Sequence, residues 1–203
     1  MEGSIPFFVD ALIEGVLTAK RAARELDLDL PIGFGSVPSS PAVVADFWGA
    51  LSSAATDELL DAIDFVGHNL YVDVFEDPAP MEDIPQRVEA IVRTLREADL
   101  PIVGLGPDVA IRVAENGWPT GVHPFTGVVR SEERQAEVLE ATVRRLDLLR
   151  AELNISQYTW FGLRDADSTK DDPFHQFGLL RGDYSPKLAF HRFQSLVADL
   201  GGA

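Results

Sequence analysis

Residues 111–121 of the chain read Ile111-Arg112-Val113-Ala114-Glu115-Asn116-Gly117-Trp118-Pro119-Thr120-Gly121. A β-branched, apolar run ends there in a carboxylate. Asn-Gly, Trp-Pro and a further glycine follow at once, which predicts that a strand gives way to a tight turn near Glu115. Because parallel β/α proteins carry their chemistry at the carboxyl ends of the strands, Glu115 stands where an active-site carboxylate is expected.

Similar apolar runs, each closed by turn residues, predict three more strands. They cover residues 30–37, 64–72 and 158–162, beside the strand at 109–114 that ends at Glu115. Apolar residues at three- and four-residue spacing, together with capping residues, predict the helices. The first three helices lie at about residues 7–26, 43–63 and 88–99, and the second of them is expected in two pieces because Ser52, Ser53 and Thr56 offer capping oxygens. Two more helices are expected, one that starts after the N-cap Ser131 and one that starts at Ser185-Pro186.

This order of elements defines the expected fold class. A helix is followed by four strand-helix units of roughly 35 to 50 residues each, within the range of eight-unit barrels of about 250 to 400 residues. Regular alternation implies parallel strands that are joined by right-handed crossovers. The sequence therefore predicts an α/β fold, a partial (half) TIM (β/α)8 barrel of four parallel βα units preceded by a helix, in a single domain over residues 1–203.

Composition narrows the classes of partner. The formal net charge of −16 repels nucleic acid and anionic membrane surfaces, so we expect neither as a partner and expect a neutral ligand. The absence of cysteine excludes disulfides, thiolate metal sites and a thiol nucleophile. The N-terminus has no secretory signal pattern, and no run reaches the roughly 18 apolar residues of a membrane span. We expect a soluble chain without a cofactor, from a parent protein that is either cytoplasmic or secreted.

Three strand-end motifs resemble a known family. Ala114-Glu115-Asn116-Gly117-Trp118-Pro119 is preceded by Gly67-His68-Asn69-Leu70-Tyr71 and followed by Tyr158-Thr159-Trp160-Phe161. Together they resemble the C-terminal half of a glycoside hydrolase of the clan A (β/α)8 barrels. The segments Phe177-Gly178-Leu179-Leu180 and Asp183-Tyr184-Ser185-Pro186-Lys187 are similar to the closing part of such enzymes. The resemblance covers most of the chain from Leu30 onward and makes the last three strands six, seven and eight.

The resemblance implies a retaining mechanism, in which two carboxyl groups about 5 Å apart act as nucleophile and acid/base. It places Glu115 at the end of strand seven as the nucleophile, whereas the alternative for this residue is a surface acid in a turn. Tyr71, at the end of the preceding strand, would donate a hydrogen bond to that carboxylate and orient it. The alternative for Tyr71 is simple packing with its hydroxyl in water.

Four further residues are implied to bind substrate. Trp160 would offer an aromatic face to a sugar ring, with a place in the core as the alternative. His68 and Asn69 would hydrogen-bond sugar hydroxyls or brace the end of their strand. Trp118 would line an outer sugar subsite.

The sequence departs from the family in one respect. The acid/base Glu of clan A enzymes, usually preceded by Asn, lies at the end of strand four, which would fall before the helix at residues 7–26. No Asn-Glu dipeptide occurs in the chain. The expected fragment therefore carries a nucleophile without an acid/base. The only candidates nearby in the chain for a second carboxyl group are Asp73, Glu76, Asp165 and Asp167, and none sits at the expected strand.

Metal sites are the weaker alternatives. His68 with Asp73 or Glu115 is a conceivable metal site, but the other histidines lack ligand spacing. The acidic loop with Asp165, Asp167, Asp171 and Asp172 lacks the pattern of an EF-hand, so we expect a solvated loop and no metal. Within that loop, Arg164 and Asp165 are expected to form a surface ion pair.

Two functions compete at this point. The first is a fragment of a retaining glycoside hydrolase that acts on a β-linked carbohydrate when it is completed. The second is a noncatalytic, truncated or degenerate half-barrel that binds sugar or self-associates. A half-barrel would expose two strand edges, so we expect as its partner either a second copy of the chain or the missing N-terminal half-barrel.

Overall fold

The computed structural model describes residues 5–38, 47–76, 78–123 and 126–201. Its main sheet has the strand order β1 (Gly33–Ser36), β2 (Phe65–Leu70), β3 (Ala110–Asn116) and β6 (Ile155–Trp160). β1 pairs in parallel with β2, in a register that aligns Gly33 with Phe65 and Ser36 with His68. The four strands form a parallel sheet accompanied by helices, as in a partial β/α barrel, which confirms the predicted fold class.

Seven α-helices accompany the strands in the described chain. Their bounds are α1 (Ile5–Glu25), α2 (Phe47–Ala54), α3 (Asp57–Leu60), α4 (Ile84–Thr94), α5 (Leu100–Val103), α6 (Glu132–Leu149) and α7 (Leu188–Leu200). A π-helical turn, Leu95–Asp99, joins α4 to α5, so the helical run continues past the predicted end near Asp99. The predicted start of the second helix at residue 43 lies outside the described residues. None of the helices described is long and apolar enough to cross a membrane.

Two predicted helix starts are confirmed by their caps. The Thr56 side chain accepts a hydrogen bond from the Leu59 amide at the start of α3. Ser131 does the same for the Arg134 amide at the start of α6, where Glu132 and Glu133 occupy the positive end of the helix dipole. The last helix begins at Leu188, after Lys187, and so starts later than the Ser185-Pro186 position that the sequence favours.

Two strand boundaries differ from the prediction. β6 begins at Ile155, because Asn154 adopts a left-handed conformation (φ 51°) and makes the turn there, whereas the aromatic run from Tyr158 suggested a later start. A short antiparallel pair, β4 (Gly121–Val122) with β5 (Val129–Arg130), lies between β3 and α6, where the sequence predicted no strand. Strands of two residues are too short to show alternation in a sequence.

The chain divides into two compact units. The first contains Met1–Asn69, Ile91–Val113 and Ala151–Gln157. In this unit the Asp64 carboxylate accepts hydrogen bonds from Lys20 Nζ at 2.5 Å and from the Ile32 amide at 2.7 Å, which ties α1 to the residues before β1 and β2. Burial raises the pKa of Asp64, but these hydrogen bonds outweigh that effect, and the pKa is lowered.

The second unit contains Leu70–Ala90, Ala114–Arg150 and Tyr158–Ala203. α6 packs against α7 there, and the apolar residues Trp118, Leu139, Leu146 and Leu196 are all at most 3% exposed. This unit holds the carboxyl ends of β3 and β6 together with the loops that follow them. It therefore contains Glu115 and the loops expected to surround a site.

Candidate active site

Glu115 is the next-to-last residue of β3 and is half-buried. The strand buries Ile111 and Val113 on one face and then turns at Gly117. A Cβ atom at Gly117 would lie 2.8 Å from Phe177 Cδ1, so only glycine fits the turn beside that ring. The local sequence thus brings an ionisable carboxylate to the end of a strand, as predicted.

The phenol of Tyr71 contacts this carboxylate directly. Tyr71 follows β2, and its hydroxyl donates a hydrogen bond of 2.9 Å to Glu115 Oε2. Burial raises the pKa of Tyr71 well above its ordinary value, and the hydrogen bond and negative charge of Glu115 raise it further. The phenol consequently keeps its proton at neutral pH and acts as a permanent donor to Glu115.

A second hydrogen-bonded pair fixes the end of β3. The Tyr158 hydroxyl donates to Asn116 Oδ1 at 2.7 Å, and Asn116 Nδ2 donates to the Leu70 carbonyl at 2.5 Å. Leu70 immediately precedes Tyr71, and Asn116 immediately follows Glu115. The bond from Asn116 to Leu70 therefore joins the two chain segments that carry Tyr71 and Glu115. Neither Asn116 nor Tyr158 was predicted as a site residue. Both are polar residues near the ends of neighbouring strands, and this position could have indicated that they lie close together.

Five rings form an aromatic cluster around the Tyr71 phenol. They belong to Tyr71, Phe75, Phe161, Phe174 and Phe177. Tyr71 packs edge-on against three of them, at centroid distances of 5.8 Å to Phe75, 6.4 Å to Phe161 and 6.0 Å to Phe177. The phenylalanines were not predicted as site residues; their common signal is that each lies in a loop after a strand.

The two predicted tryptophan sites are buried. Trp160 is 8% exposed and donates from Nε1 to the Phe177 carbonyl at 3.0 Å, so its ring offers little surface to a ligand in this structure. The structure does not place Trp118 at an outer sugar subsite. It is 2% exposed, its Nε1 donates to the Asp73 carbonyl at 3.1 Å, and the Arg130 guanidinium lies 5.1 Å from its ring. In this structure Trp118 is therefore part of the core, held by its contacts with Asp73 and Arg130.

His68 and Asn69 belong to the first unit. His68 is 1% exposed, and its Nδ1 lies 2.8 Å from the hydroxyl of Ser36, which also donates to the Gly67 carbonyl at 2.9 Å. Burial lowers the pKa of His68 to about 4, so the ring is neutral near pH 7. His68 thus braces β1 against β2, the second of its two predicted roles. Asn69 is half-buried in β2, and a contact with a sugar stays a prediction for it.

The acidic loop differs from its prediction. Asp165 is buried, and it accepts hydrogen bonds from Lys187 Nζ and the Gly178 amide, both at 2.8 Å. Lys187 is 2% exposed and also donates to Thr120 Oγ1 at 2.9 Å. Arg164 does not pair with Asp165; it donates to the Gly182 carbonyl and lies over the Tyr184 ring. The prediction of a solvated loop with an Arg164–Asp165 pair was wrong for these residues, because the partner of Asp165 is 22 residues away in the sequence.

The other acids near Glu115 in the chain are also engaged by cations. Asp73 pairs with Arg134 at 3.2 Å, Glu76 with Arg87 at 3.3 Å, and Asp167 with Lys170 at 3.9 Å. Asp73 is buried and adopts a left-handed conformation (φ 63°), which aims its carboxylate at the Ala79 amide as well. Of these three acids only Asp73 is buried in its ion pair; Glu76 and Asp167 meet their cations at solvent-accessible positions, where a pair restrains a carboxylate little.

The metal alternative finds no support in the described ranges. Residues 5–38, 47–76, 78–123 and 126–201 contain no group of three or more His, Asp or Glu side chains that could hold a metal ion. His123, for example, hydrogen-bonds the Glu76 carbonyl through Nε2 at 2.9 Å.

Comparison with known proteins gives a fold but no sequence family. No family model matches the chain, and no curated protein matches it in sequence. Among solved structures, a glycoside hydrolase family 17 β-1,3-glucanosyltransferase from Rhizomucor miehei has a TM-score of 0.58 at 14% identity, over 89% of this chain and 56% of that one. The β-D-glucuronidase of Dictyoglomus thermophilum has a TM-score of 0.57 at 15% identity, over 94% of this chain and 36% of that one.

A third match is the β-glucuronidase of Faecalibacterium prausnitzii, with a TM-score of 0.56 at 17% identity over 89% of this chain and 27% of that one. The chain thus spans about half the length of the glucanosyltransferase and about a third or less of the glucuronidases. At these identities the likeness shows the fold alone. The fold of this chain is one that occurs in glycoside hydrolases.

Proposed function

We propose that the chain is the C-terminal half-barrel of a retaining glycoside hydrolase of clan A, with Glu115 as the nucleophile. The observation that carries the proposal is the 2.9 Å hydrogen bond from Tyr71 to Glu115, made between the ends of two neighbouring strands. A nucleophilic carboxylate has to be oriented, and a phenol that keeps its proton and donates to one carboxylate oxygen meets that need. The structural neighbours, whose names describe enzymes of β-linked sugars, support a β-linked carbohydrate as the substrate.

The proposed chemistry is half of a retaining reaction. Glu115 attacks the anomeric carbon, the bond to the leaving oxygen breaks, and an ester bond to Glu115 forms. A natural leaving group also needs a proton from the acid/base, and two of the acids considered for that role, Asp73 and Asp165, are held in buried ion pairs. In this proposal the acid/base comes from a missing N-terminal half-barrel.

Those ion pairs also favour a second candidate function. If no further carboxylate reaches Glu115, the chain is a noncatalytic half-barrel that binds sugar or self-associates through a second copy. The two candidates share the fold and differ in whether Glu115 can form a glycosyl ester.

A substrate that needs no acid separates them. 2,4-Dinitrophenolate leaves without protonation, so 2,4-dinitrophenyl 2-deoxy-2-fluoro-β-glycosides should convert Glu115 slowly to a stable ester. We expect intact-mass spectrometry with the glucoside, galactoside and glucuronide to show one added fluoroglycosyl group with at least one of the three sugars. Glu115→Gln should remove this adduct, and Glu137→Gln, a change on α6, should keep it. The absence of an adduct with all three sugars, or an equal adduct on Glu115→Gln, would reject the catalytic proposal.

A further inference from the structure

Three phenylalanine side chains in the cluster around Tyr71, which donates to Glu115, are exposed instead of buried. Phe75 is 52% exposed, Phe161 42% and Phe174 65%, and all three belong to the aromatic cluster around Tyr71. Exposed apolar side chains are common singly, but a contiguous apolar patch on a protein surface marks a binding site. The patch adjoins the one phenol that contacts Glu115, so its position requires an explanation.

The exposed rings are held in a defined arrangement. Phe75 and Phe174 are stacked, with an interplanar angle of 30° and centroids 6.1 Å apart. Phe177, which is 4% exposed, packs against two of the exposed rings. Its ring centroid lies 5.4 Å from that of Phe161 and 6.4 Å from that of Phe174. Ring pairs at these distances stabilise one another, so the exposed faces are preorganised.

The chemistry of the patch is unsuited to hydroxyl groups. Phe75, Phe161 and Phe174 carry no hydrogen-bond donor or acceptor, and the Tyr71 hydroxyl already donates to Glu115. A sugar ring on these faces could place its C–H groups against them, but its hydroxyls would gain no hydrogen bond from the three side chains. A phenyl ring would lose only apolar surface to water and would stack on the exposed faces.

We propose that Phe75, Phe161 and Phe174 form an aryl subsite, which binds a neutral aromatic group linked to the sugar at Glu115. The ligand class is an aryl β-glycoside. Its aromatic part is neutral because the three rings offer no charged or hydrogen-bonding partner, and the net charge of −16 further disfavours an anionic group. This inference rests on the proposed function for the position of the sugar, but the affinity for the aromatic group does not require catalysis.

Binding of two unreactive probes tests the subsite. Phenyl β-D-glucopyranoside and methyl β-D-glucopyranoside differ only in the aromatic group, and their dissociation constants for the 203-residue chain can be measured by NMR titration. We expect the phenyl glycoside to bind at least about tenfold more tightly. The double variant Phe75→Leu/Phe174→Leu should remove most of this preference, since leucine keeps apolar bulk but offers no ring face. Phe8→Leu, at a phenylalanine of the first unit that is 65% exposed, should keep it.

Equal affinity for the two probes, no binding of either probe, or a preference that survives in the double variant would overturn the subsite. A sedimentation coefficient that falls in the double variant, without a preference for the phenyl probe in the parent chain, would assign the patch to a second copy of the chain instead. Failure of the proposed function looks different. A phenyl preference that persists in Glu115→Gln, with no fluoroglycosyl adduct on the parent chain, would leave the aryl subsite and reject the nucleophile.

Discussion

The Tyr71 hydroxyl donates a hydrogen bond of 2.9 Å to Glu115 Oε2, across two neighbouring strands and 44 residues of sequence. The bond affects the ionisation of Tyr71, because a phenol that donates to a carboxylate holds its own proton more firmly. Burial is the larger cause of the raised pKa of Tyr71, and Glu115 adds to it. The contribution of Glu115 can be measured separately.

We expect Glu115→Gln to lower the pKa of Tyr71 towards its ordinary value, because the substitution removes the negative charge that opposes formation of phenolate. The pKa should remain raised, since burial persists. Absorbance at the phenolate band follows this titration, and the curve of a Tyr71→Phe variant identifies Tyr71 among the three tyrosines of the chain. Glu137→Gln should leave the curve unchanged. A Tyr71 titration that is identical in Glu115→Gln and the parent would show that the hydrogen bond does not form in solution.

The buried pair of Asp165 and Lys187 should behave as a unit. Burial lowers the pKa of Lys187, and the hydrogen bond from Lys187 Nζ to Asp165 partly offsets this. Lys187→Met leaves the buried carboxylate of Asp165 without its positive partner and should lower the free energy of unfolding by about 3–5 kcal/mol. Asp165→Asn/Lys187→Met should cost less than the sum of the two single changes, as measured by urea denaturation. Additive costs would mean that the two side chains do not interact.

Strands and caps were predictable because their signals are local. The apolar run that ends at Glu115, and a hydroxyl at Ser131 ahead of two glutamates, each act within a few residues. The left-handed turn at Asn154 also sets a boundary, but it leaves no mark in the periodicity of the residues around it. The start of β6 was therefore placed late.

The site was predictable only in part, for a related reason. Glu115 and Tyr71 could be placed because each stands at the end of a strand, and parallel strands bring their ends together. The burial of Trp118 depends on Asp73 and Arg130, and that of Asp165 on Lys187, all distant in sequence. Long-range pairs of this kind cannot be inferred from spacing. An aromatic residue in a loop therefore suggested a ligand where the fold provides a core.

Acid should weaken the first unit through His68. The unfolded chain takes up this proton near the ordinary histidine pKa of about 6.5, whereas burial lowers the folded pKa to about 4. Between those values the unfolded state binds more protons, so stability falls as the pH falls from about 6.5 towards 4. The shift corresponds to a loss on the order of 3 kcal/mol. His68→Gln should remove this component of the slope of unfolding free energy against pH.

The exposed His191 provides the matched control, and His191→Gln should retain the slope of the parent chain. The measurement is urea denaturation at several pH values, with the m-value checked for constancy. An unchanged slope in His68→Gln would mean that other groups cause the acid sensitivity.

The strand order predicts how the isolated chain associates. In the described part of the chain, β1 and β6 have one neighbouring strand each, so their outer edges carry backbone groups that can pair with another chain. We therefore expect the sedimentation coefficient to rise with protein concentration.

Gly35→Lys places a charge on β1 at an exposed position where a Cβ atom meets nothing within 4 Å, and it should reduce association. Gly15→Lys makes the same chemical change at an exposed site on α1 that is equally open, and it should not. If both variants associate like the parent chain, the contact lies elsewhere than the β1 edge, and a sedimentation coefficient that is constant with concentration would contradict the prediction itself.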